Sequence, residues 1–407
     1  MKVLLAHNFY GSSAPSGENT VYSAEKSLLE AAGHLVGEYT RNSDEIRNQG
    51  TWGALKGALS SPWNPFAFAK VQRTIERERP DVMHVHDTFP LLSPAIFHSA
   101  AKSSTATVLT LHNYRTVCAA AIPMREGKPC TECLDQQSVT PALRYGCYRQ
   151  SRLATLPLAT MIALHRKLGT WRKHVDAFIA LTGFQRDQLV AAGLPPGRMH
   201  IKPHFYPDPP SPLPWQEREA KVLFIGRLGE EKGVRFLIEA WRRWGEQAPP
   251  LEVIGDGPQR RELEDLAQAM NGKVRFLGQR SFSETQERLA STRLLVLPSV
   301  CFEGFPMVIL EAFALGVPVA ASRLGSMPCL VQDGRNGVLF EPGNAEDLLR
   351  QVRATWGKDD LLALMGAAAR KEFEARYTAE VNYRMLMDIY QAAIEHRRGM
   401  AGRARGR

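Results

Sequence analysis

Between Phe305 and Ala321 every residue is apolar, glycine or proline except Glu311. A helix so apolar cannot lie in solvent. An unpaired carboxylate buried within it would cost several kcal/mol, on the order of a lost ion pair. Glu311 must therefore face a wet cleft or meet a polar partner. The segment reads as a short buried strand over 293–300, a tight loop, and a helix. Proline at 306 suits the first helical turn, and Gly316 with Pro318 closes the helix. Side chains on a helix lean toward its N-terminus, so Glu311 points toward the mouth that also carries Glu303. Two carboxylates eight positions apart would then flank the free N–H groups of a helix start. Such a mouth favours anions while its carboxylates accept protons from hydroxyls. A phosphate joined to sugars meets both demands.

The rest of the chain is consistent with that chemistry. Its 407 residues suggest two or three domains, and 44% hydrophobic with 23% charged residues describes a globular protein. No apolar run reaches the ~18–20 residues of a membrane span; the stretch from Leu153 to Leu164 is short and contains Pro157. The N-terminal apolar run is too brief for a signal peptide, which predicts a cytoplasmic protein. The net charge is +9, and Arg397, Arg398, Arg403, Arg405 and Arg407 fall in a final stretch, 397–407, without an acid. That tail is expected to be disordered, serving solubility or attraction to anionic lipid at the inner membrane face. No nucleic-acid-binding signature accompanies the charge.

In the first half, Lys2 to Ala6 reads as a strand, followed by the small-residue loop from Gly11 to Asn19 and a helix ending at Gly33. Strand, small-residue loop and helix form a phosphate cradle or an ordinary turn; Gly17 and Glu18 are its candidate ligand residues. Trp52, Trp63, Phe66 and Phe68 lie in a mixed apolar and basic stretch that either packs on the sheet or touches a membrane. His84 and His86 share one face of a strand, with no third metal ligand at an obvious spacing. Pro90 to Ala101 reads as a helix. The next strand ends in Leu111-His112-Asn113-Tyr114-Arg115, a polar cluster where open α/β sheets bind ligands. An insert over 118–147 holds Cys118, Cys130, Cys133 and Cys147. The Cys130-x-x-Cys133 pair is one bite of a tetrahedral site that the outer cysteines would complete as structural zinc; the alternative is four reduced thiols.

Six prolines between Pro203 and Pro214 mark a stiff connector. The expected organisation is a first domain over 1–203, a linker over 204–220, a second domain over 221–377 and a last helix over 378–396. The second domain restarts the strand–turn–helix pattern. Gly226-Arg227 and Lys232 place two cations at a strand's end, suited to a diphosphate leaving group.

Glu303 and Glu311, with Arg227 and Lys232 upstream, resemble the paired-glutamate and Arg/Lys motifs of the retaining glycosyltransferases of family 4. The insert is similar to that of a subgroup with His-Asn-Tyr-Arg, a cysteine-rich loop and Cys-Tyr-Arg-x-Ser, here Cys147-Tyr148-Arg149-Gln150-Ser151. The resemblance implies an α/β GT-B fold: two Rossmann-like doubly wound domains facing across a cleft, with the last helix crossing back to the first. It implies that Glu303 contacts donor sugar hydroxyls, Glu311 holds the ribose, and Arg227 and Lys232 stabilise the departing phosphates. Gly226, Gly304, Phe305 and Pro306 would line the donor, with Gly17 and Glu18 near its diphosphate and His112 beside the transferred sugar. Phe305-Pro306 stands where the family commonly has Phe-Gly, leaving donor identity open. The expected partners are a nucleotide diphosphate-sugar, a glycan or lipid-linked acceptor and an anionic membrane surface. No cofactor is expected for catalysis. Two other readings are a nucleotide-sugar epimerase and a non-catalytic nucleotide-sugar-binding partner.

Overall fold

The computed structural model describes residues 1–11, 16–270 and 272–405, with side chains through 400. The chain divides into two compact units. The first comprises Met1–Pro123, Thr131–His204 and Asn382–Arg407; the second comprises Met124–Cys130 and Phe205–Val381.

The first unit is a six-stranded parallel sheet: β1 (Lys2–Phe9), β2 (Leu35–Asn42), β3 (Val82–Val85), β4 (Ala106–Thr110), β5 (Ala177–Ala180) and β6 (Met199–Ile201), in the order β2-β1-β3-β4-β5-β6. The central strands β3, β4 and β5 are buried along their whole length. That is why they show no in-out alternation of polar and apolar residues: β5 is wholly apolar, and the polar groups of β3 and β4, His84, Thr107 and Thr110, are themselves buried. Helix α1 (Gly17–Ala31) starts at Ser16, whose hydroxyl accepts from the Glu18 N–H at 3.3 Å. Helices α2 (Gly50–Ser60) and α3 (Pro65–Glu78) follow, the latter capped by Asn64. Helix α4 (Arg152–Leu168) carries Pro157 within it and ends on left-handed Gly169.

The second unit repeats the plan with β7 (Glu219–Ile225), β8 (Leu251–Ile254), β9 (Val274–Gly278), β10 (Thr292–Leu297), β11 (Val319–Ser322) and β12 (Gly337–Phe340), all parallel, in the order β9-β8-β7-β10-β11-β12. This is the 3-2-1-4-5-6 order of a dinucleotide-binding sheet. Helix α5 (Val234–Trp244) buries Leu237, Ile238, Trp241 and Trp244 against it. Helices α6 (Phe282–Ala290) and α7 (Met307–Ala314) flank β10.

The last helix, α8 (Ala379–Arg405), belongs to the first unit from Asn382 onward. Its stripe of Leu386, Ile389, Tyr390 and Ala393 joins the core of Val3, Leu5, Val108 and Ile179. The spacing i, i+3, i+4, i+7 puts these four on one face, and each large side chain contributes roughly 1.5–3 kcal/mol by leaving water.

Three expectations are corrected. Pro306 is the extended cap before α7, with φ −73° and ψ 104°, and lies outside the first turn. Pro90 to Ala101 is mostly turns with one short helix, Ile96–Ser99; prolines at 90 and 94 remove the N–H donors that a longer helix needs. Arg397 and Arg398 continue α8 and do not begin a disordered tail. Arg397 is 6% exposed and pairs with buried Asp176 at 2.8 Å. The side chains of Arg403, Arg405 and Arg407 lie outside the described residues, as do positions 12–15 of the small-residue loop.

Candidate functional site

Ligands of open α/β sheets bind beyond the carboxyl ends of the strands, where the strand order reverses. In the second unit that point lies between β7 and β10. Gly226 and Arg227 leave β7 there, and Ser299 to Phe305 leave β10. The chain after β7 makes a single 3-10 turn, Glu230–Lys232, and passes through Gly233 at φ +63°. The Lys232 ammonium lies 2.6 Å from Glu303 Oε1, which also accepts from Ser299 Oγ at 2.7 Å. Burial pulls the lysine's pKa down, but Glu303 and neighbouring acidic groups outweigh it, and the ammonium is held above its ordinary range. Arg227 is exposed. Helix α7 begins at Met307 with no side-chain cap, leaving its first N–H groups to a ligand or water. Phe305 is buried, its ring edge-on to Tyr377 at 6.1 Å. Glu311 finds the polar partner that its surroundings demand: Gln286 Nε2 on α6 donates to Oε2 at 2.8 Å, and Tyr206 donates to Gln286 Oε1 at 3.2 Å. Burial raises the Glu311 pKa, and the Gln286 contact opposes that rise.

The reversal in the first unit lies between β1 and β3. Glu18, in the first turn of α1, accepts from Asn113 Nδ2 at 2.9 Å. Burial raises its pKa, against the pull of Asn113 and Arg115. Asp87, directly after β3, is pushed well above the carboxylate range by burial and by Glu18. Gly17 is exposed at the start of α1. His112 follows β4, is 8% exposed, and meets His86 Nδ1 through its Nε2 at 3.1 Å. Burial, then the neighbouring His204, holds its pKa well below 6.5, so the imidazole is neutral at physiological pH. His86, Asp87, His112, Asn113 and Arg115 line a small open recess whose apolar wall includes Phe97, Met161 and Trp171. Asp87 and Gln286 were missed by sequence reasoning, and His86 was weighed only as a metal ligand. The polar pair His86-Asp87 at the carboxyl end of β3 was the available signal for the first unit's site.

The expected zinc set is not assembled. Among the described residues, Cys118, Cys130, Cys133 and Cys147 form no group of converging metal ligands, and all four are thiols outside any disulfide. Cys118 is buried with its sulfur 3.9 Å from the Ile122 carbonyl oxygen. Burial pushes its pKa up to about 12, and the neighbouring Cys133 and Cys147 add to the rise. Glu25, His84 and His86 do converge, with ligand atoms within 4.8 Å of one another. Glu25 on α1 is the third group that the strand spacing did not show. This cluster already holds its own cation, however: Lys202 Nζ donates to Glu25 Oε1 and to Asn382 Oδ1 at 3.1 Å. His84 engages Tyr390 and Thr110 with its two ring nitrogens, both at 2.8 Å.

Residues 26–207 match the family described as Glycosyltransferase Family 4, and residues 219–357 match Glycosyl transferases group 1. Each half of the chain is thus similar to a glycosyltransferase domain. Over 176 residues the chain is 32% identical to the sulfoquinovosyl transferase SQD2 of Arabidopsis thaliana, covering 42% of this chain and 34% of that protein. Over 220 residues it is 27% identical to the putative colanic acid biosynthesis glycosyltransferase WcaL of Escherichia coli, covering 52% of each. The chain thus spans about a third to a half of the length of these relatives. The fold is shared with Anabaena HepE, solved in complex with UDP and glucose, at a TM-score of 0.65 and 17% identity, over 96% of this chain and 100% of HepE. The two Rossmann-like parallel sheets are those of the GT-B glycosyltransferase fold.

Proposed function

We propose that the chain is a retaining glycosyltransferase that moves a sugar from a nucleotide diphosphate-sugar to an acceptor hydroxyl, in the synthesis of a cell-surface polysaccharide or lipid-linked glycan. The observation that carries this reading is the Lys232–Glu303 pair at the reversal point of the second sheet, beside an uncapped helix start. A diphosphate arriving there meets Lys232, Arg227 and the α7 N–H groups, so positive potential lies where charge develops. Once Lys232 turns to phosphate, Glu303 is free to accept from donor sugar hydroxyls, while Glu311 takes those of the ribose. In transfer with retention, the bond from the anomeric carbon to phosphate breaks and the bond to the acceptor oxygen forms on the same face. The acceptor proton leaves to the departing diphosphate. The cations that meet the diphosphate are the chain's own, so the reading needs no metal there. HepE's complex with UDP and glucose supports the donor class, and WcaL's described role in colanic acid biosynthesis supports the product class.

The same reading assigns the exposed apolar side chains of the first unit to an anionic membrane surface carrying the acceptor. Trp52, Leu55 and Leu59 of α2 are 77%, 49% and 69% exposed, and Leu153 of α4, a helix in contact with α2, is 81% exposed. Lys56 of α2 and Arg152 of α4 belong to the same two helices and are exposed and basic. Among the described residues no helix is long and apolar enough to cross a membrane.

The test is release of nucleoside diphosphate by the purified chain across a panel of sugar nucleotides, with and without lipid-linked acceptors. Release that depends on acceptor is expected, with a kcat loss of about 10²–10³ in Lys232→Met. No release across the panel overturns the proposal. Conversion of donor without acceptor would make the chain an epimerase instead.

A further inference from the structure

The buried cluster of the first unit contains a directed chain of contacts that the proposed reaction does not use. It begins at Lys202 and Glu25, both fully buried, where the ammonium meets Oε1. The other carboxylate oxygen, Oε2, faces His86 Nε2 at 3.4 Å and His84 Nδ1 at 3.8 Å; among the described residues neither Oε2 nor His86 Nε2 has a hydrogen-bond partner, so the two buried atoms face each other unpaired. The opposite ring nitrogen of His86, Nδ1, faces His112 Nε2 at 3.1 Å. The rings of His86 and His112 are nearly parallel, 5.3 Å apart between centroids. His112 Nδ1 is buried, has no hydrogen-bond partner among the described residues, and belongs to a side chain that lines the recess.

A neutral imidazole carries one proton, on one of two nitrogens, and its neighbours decide which. A carboxylate oxygen can only accept. A bare Nε2 of His86 would set lone pair against lone pair beside Glu25, so the His86 proton belongs on Nε2. Its Nδ1 is then an acceptor. Two imidazole nitrogens 3.1 Å apart need one proton between them, and His112 Nε2 must supply it. We infer that Glu25 and His86 are positioning residues: they fix the tautomer of His112, so that Nδ1 presents a lone pair to the recess and takes a hydrogen bond from a sugar hydroxyl. Burial keeps both rings neutral, as this requires. A bare buried acceptor selects a hydroxyl over a deoxy or ether position, because the latter would leave it unsatisfied.

The tautomer rests on geometry alone; that the hydroxyl belongs to a sugar rests on the proposed function. The experiment therefore needs no substrate. Ring ¹⁵N shifts of His112 are read in the full chain labelled at histidine and assigned by the signal lost in His112→Asn. The expected spectrum has Nε2 protonated and Nδ1 bare. In Glu25→Gln the amide oxygen stays on Lys202 and the amide N–H faces His86, so the chain of donors reverses and the His112 proton moves to Nδ1. A proton on Nδ1 in the unaltered chain overturns the inference, as does an unchanged tautomer in folded Glu25→Gln. If that variant does not fold, the unaltered spectrum decides alone. Neither result bears on whether the chain transfers sugar.

Discussion

Gly233 shows how one backbone position sets the turn that carries Lys232 in the proposed donor site. Its φ is +63°, and a Cβ there would lie 2.1 Å from the Pro298 carbonyl oxygen. The turn that presents Lys232 can approach the end of β10 this closely only without a side chain. Gly169 offers the internal control, since its φ of 70° and ψ of 28° match the 63° and 20° of Gly233 while a Cβ there would meet only the end of the Lys173 side chain, at 3.2 Å. We expect Gly169→Ala to lose about 1 kcal/mol of stability from backbone strain. Gly233→Ala should lose more, together with at least tenfold in nucleoside diphosphate affinity, because Lys232 moves with the turn. Equal stability losses and unchanged affinity would show that the close approach is unimportant. At this scale the sequence was legible where chemistry was concentrated. Glu311 stood out because charges are absent among its neighbours, whereas Arg227 and Lys232, beside Glu230 and Glu231, were read from their place at a strand's end. The partners were not legible. Gln286 sits on an ordinary polar helix, and Lys202 and Glu25 are 177 positions apart, so nothing local links them.

Elements were legible where a period was sustained and obscured where one distant contact decided the outcome. The stripe on α8 gave its packed face, but its length depended on Asp176. That carboxylate is 1% exposed and accepts from the Thr107 N–H at 2.8 Å, from His396 at 2.8 Å and from Arg397 Nε at 2.9 Å. A run of arginines reads as a solvated tail unless the buried acid 221 positions away is known. Removing one partner of a buried pair leaves an uncompensated charge. Arg397→Met is therefore expected to cost ~3 kcal/mol in chemical denaturation, and a loss below ~0.5 kcal/mol would show that the bridge does not anchor the helix. The apolar residues of α2 and α4 pose the opposite case, since their exposure could not be read from a pattern that equally suits packing on a sheet. Trp52→Ser with Leu59→Ser should leave the melting temperature unchanged. Co-sedimentation with phosphatidylglycerol vesicles should fall at least tenfold, given about 1.5–3 kcal/mol for each large side chain that inserts. Binding by the unaltered chain that is equal for neutral and anionic vesicles would remove the electrostatic part of the proposal.

For the whole molecule, the repeated strand–turn–helix pattern made two doubly wound sheets readable, but not their strand orders. The first sheet is 2-1-3-4-5-6 and the second 3-2-1-4-5-6 in the numbering of its own strands, a difference of pairing that no local pattern records. It moves the reversal point, and with it the polar residues gathered at the strand ends: Glu18 and Asp87 follow β1 and β3, whereas Lys232 and Glu303 follow β7 and β10. The first unit's sheet ends are crowded with histidines, and that crowding makes stability depend on pH. Burial lowers His7, His84 and His165 to about 4, and holds His86, His112 and His204 well below 6.5. The unfolded chain binds protons on these rings below pH ~6.5, while the folded chain does not until much lower pH. The stability they contribute is thus complete above ~6.5 and is lost as pH falls toward 4. Each ring supplies a slope of about 1 kcal/mol per pH unit within that interval. Asp87 and Glu18, raised by burial, act in the opposite direction over part of the same range, but two carboxyls do not offset six rings. Melting temperature should fall steadily between pH 6.5 and 4.5, and a flat profile there would mean that water reaches the histidines in the folded chain.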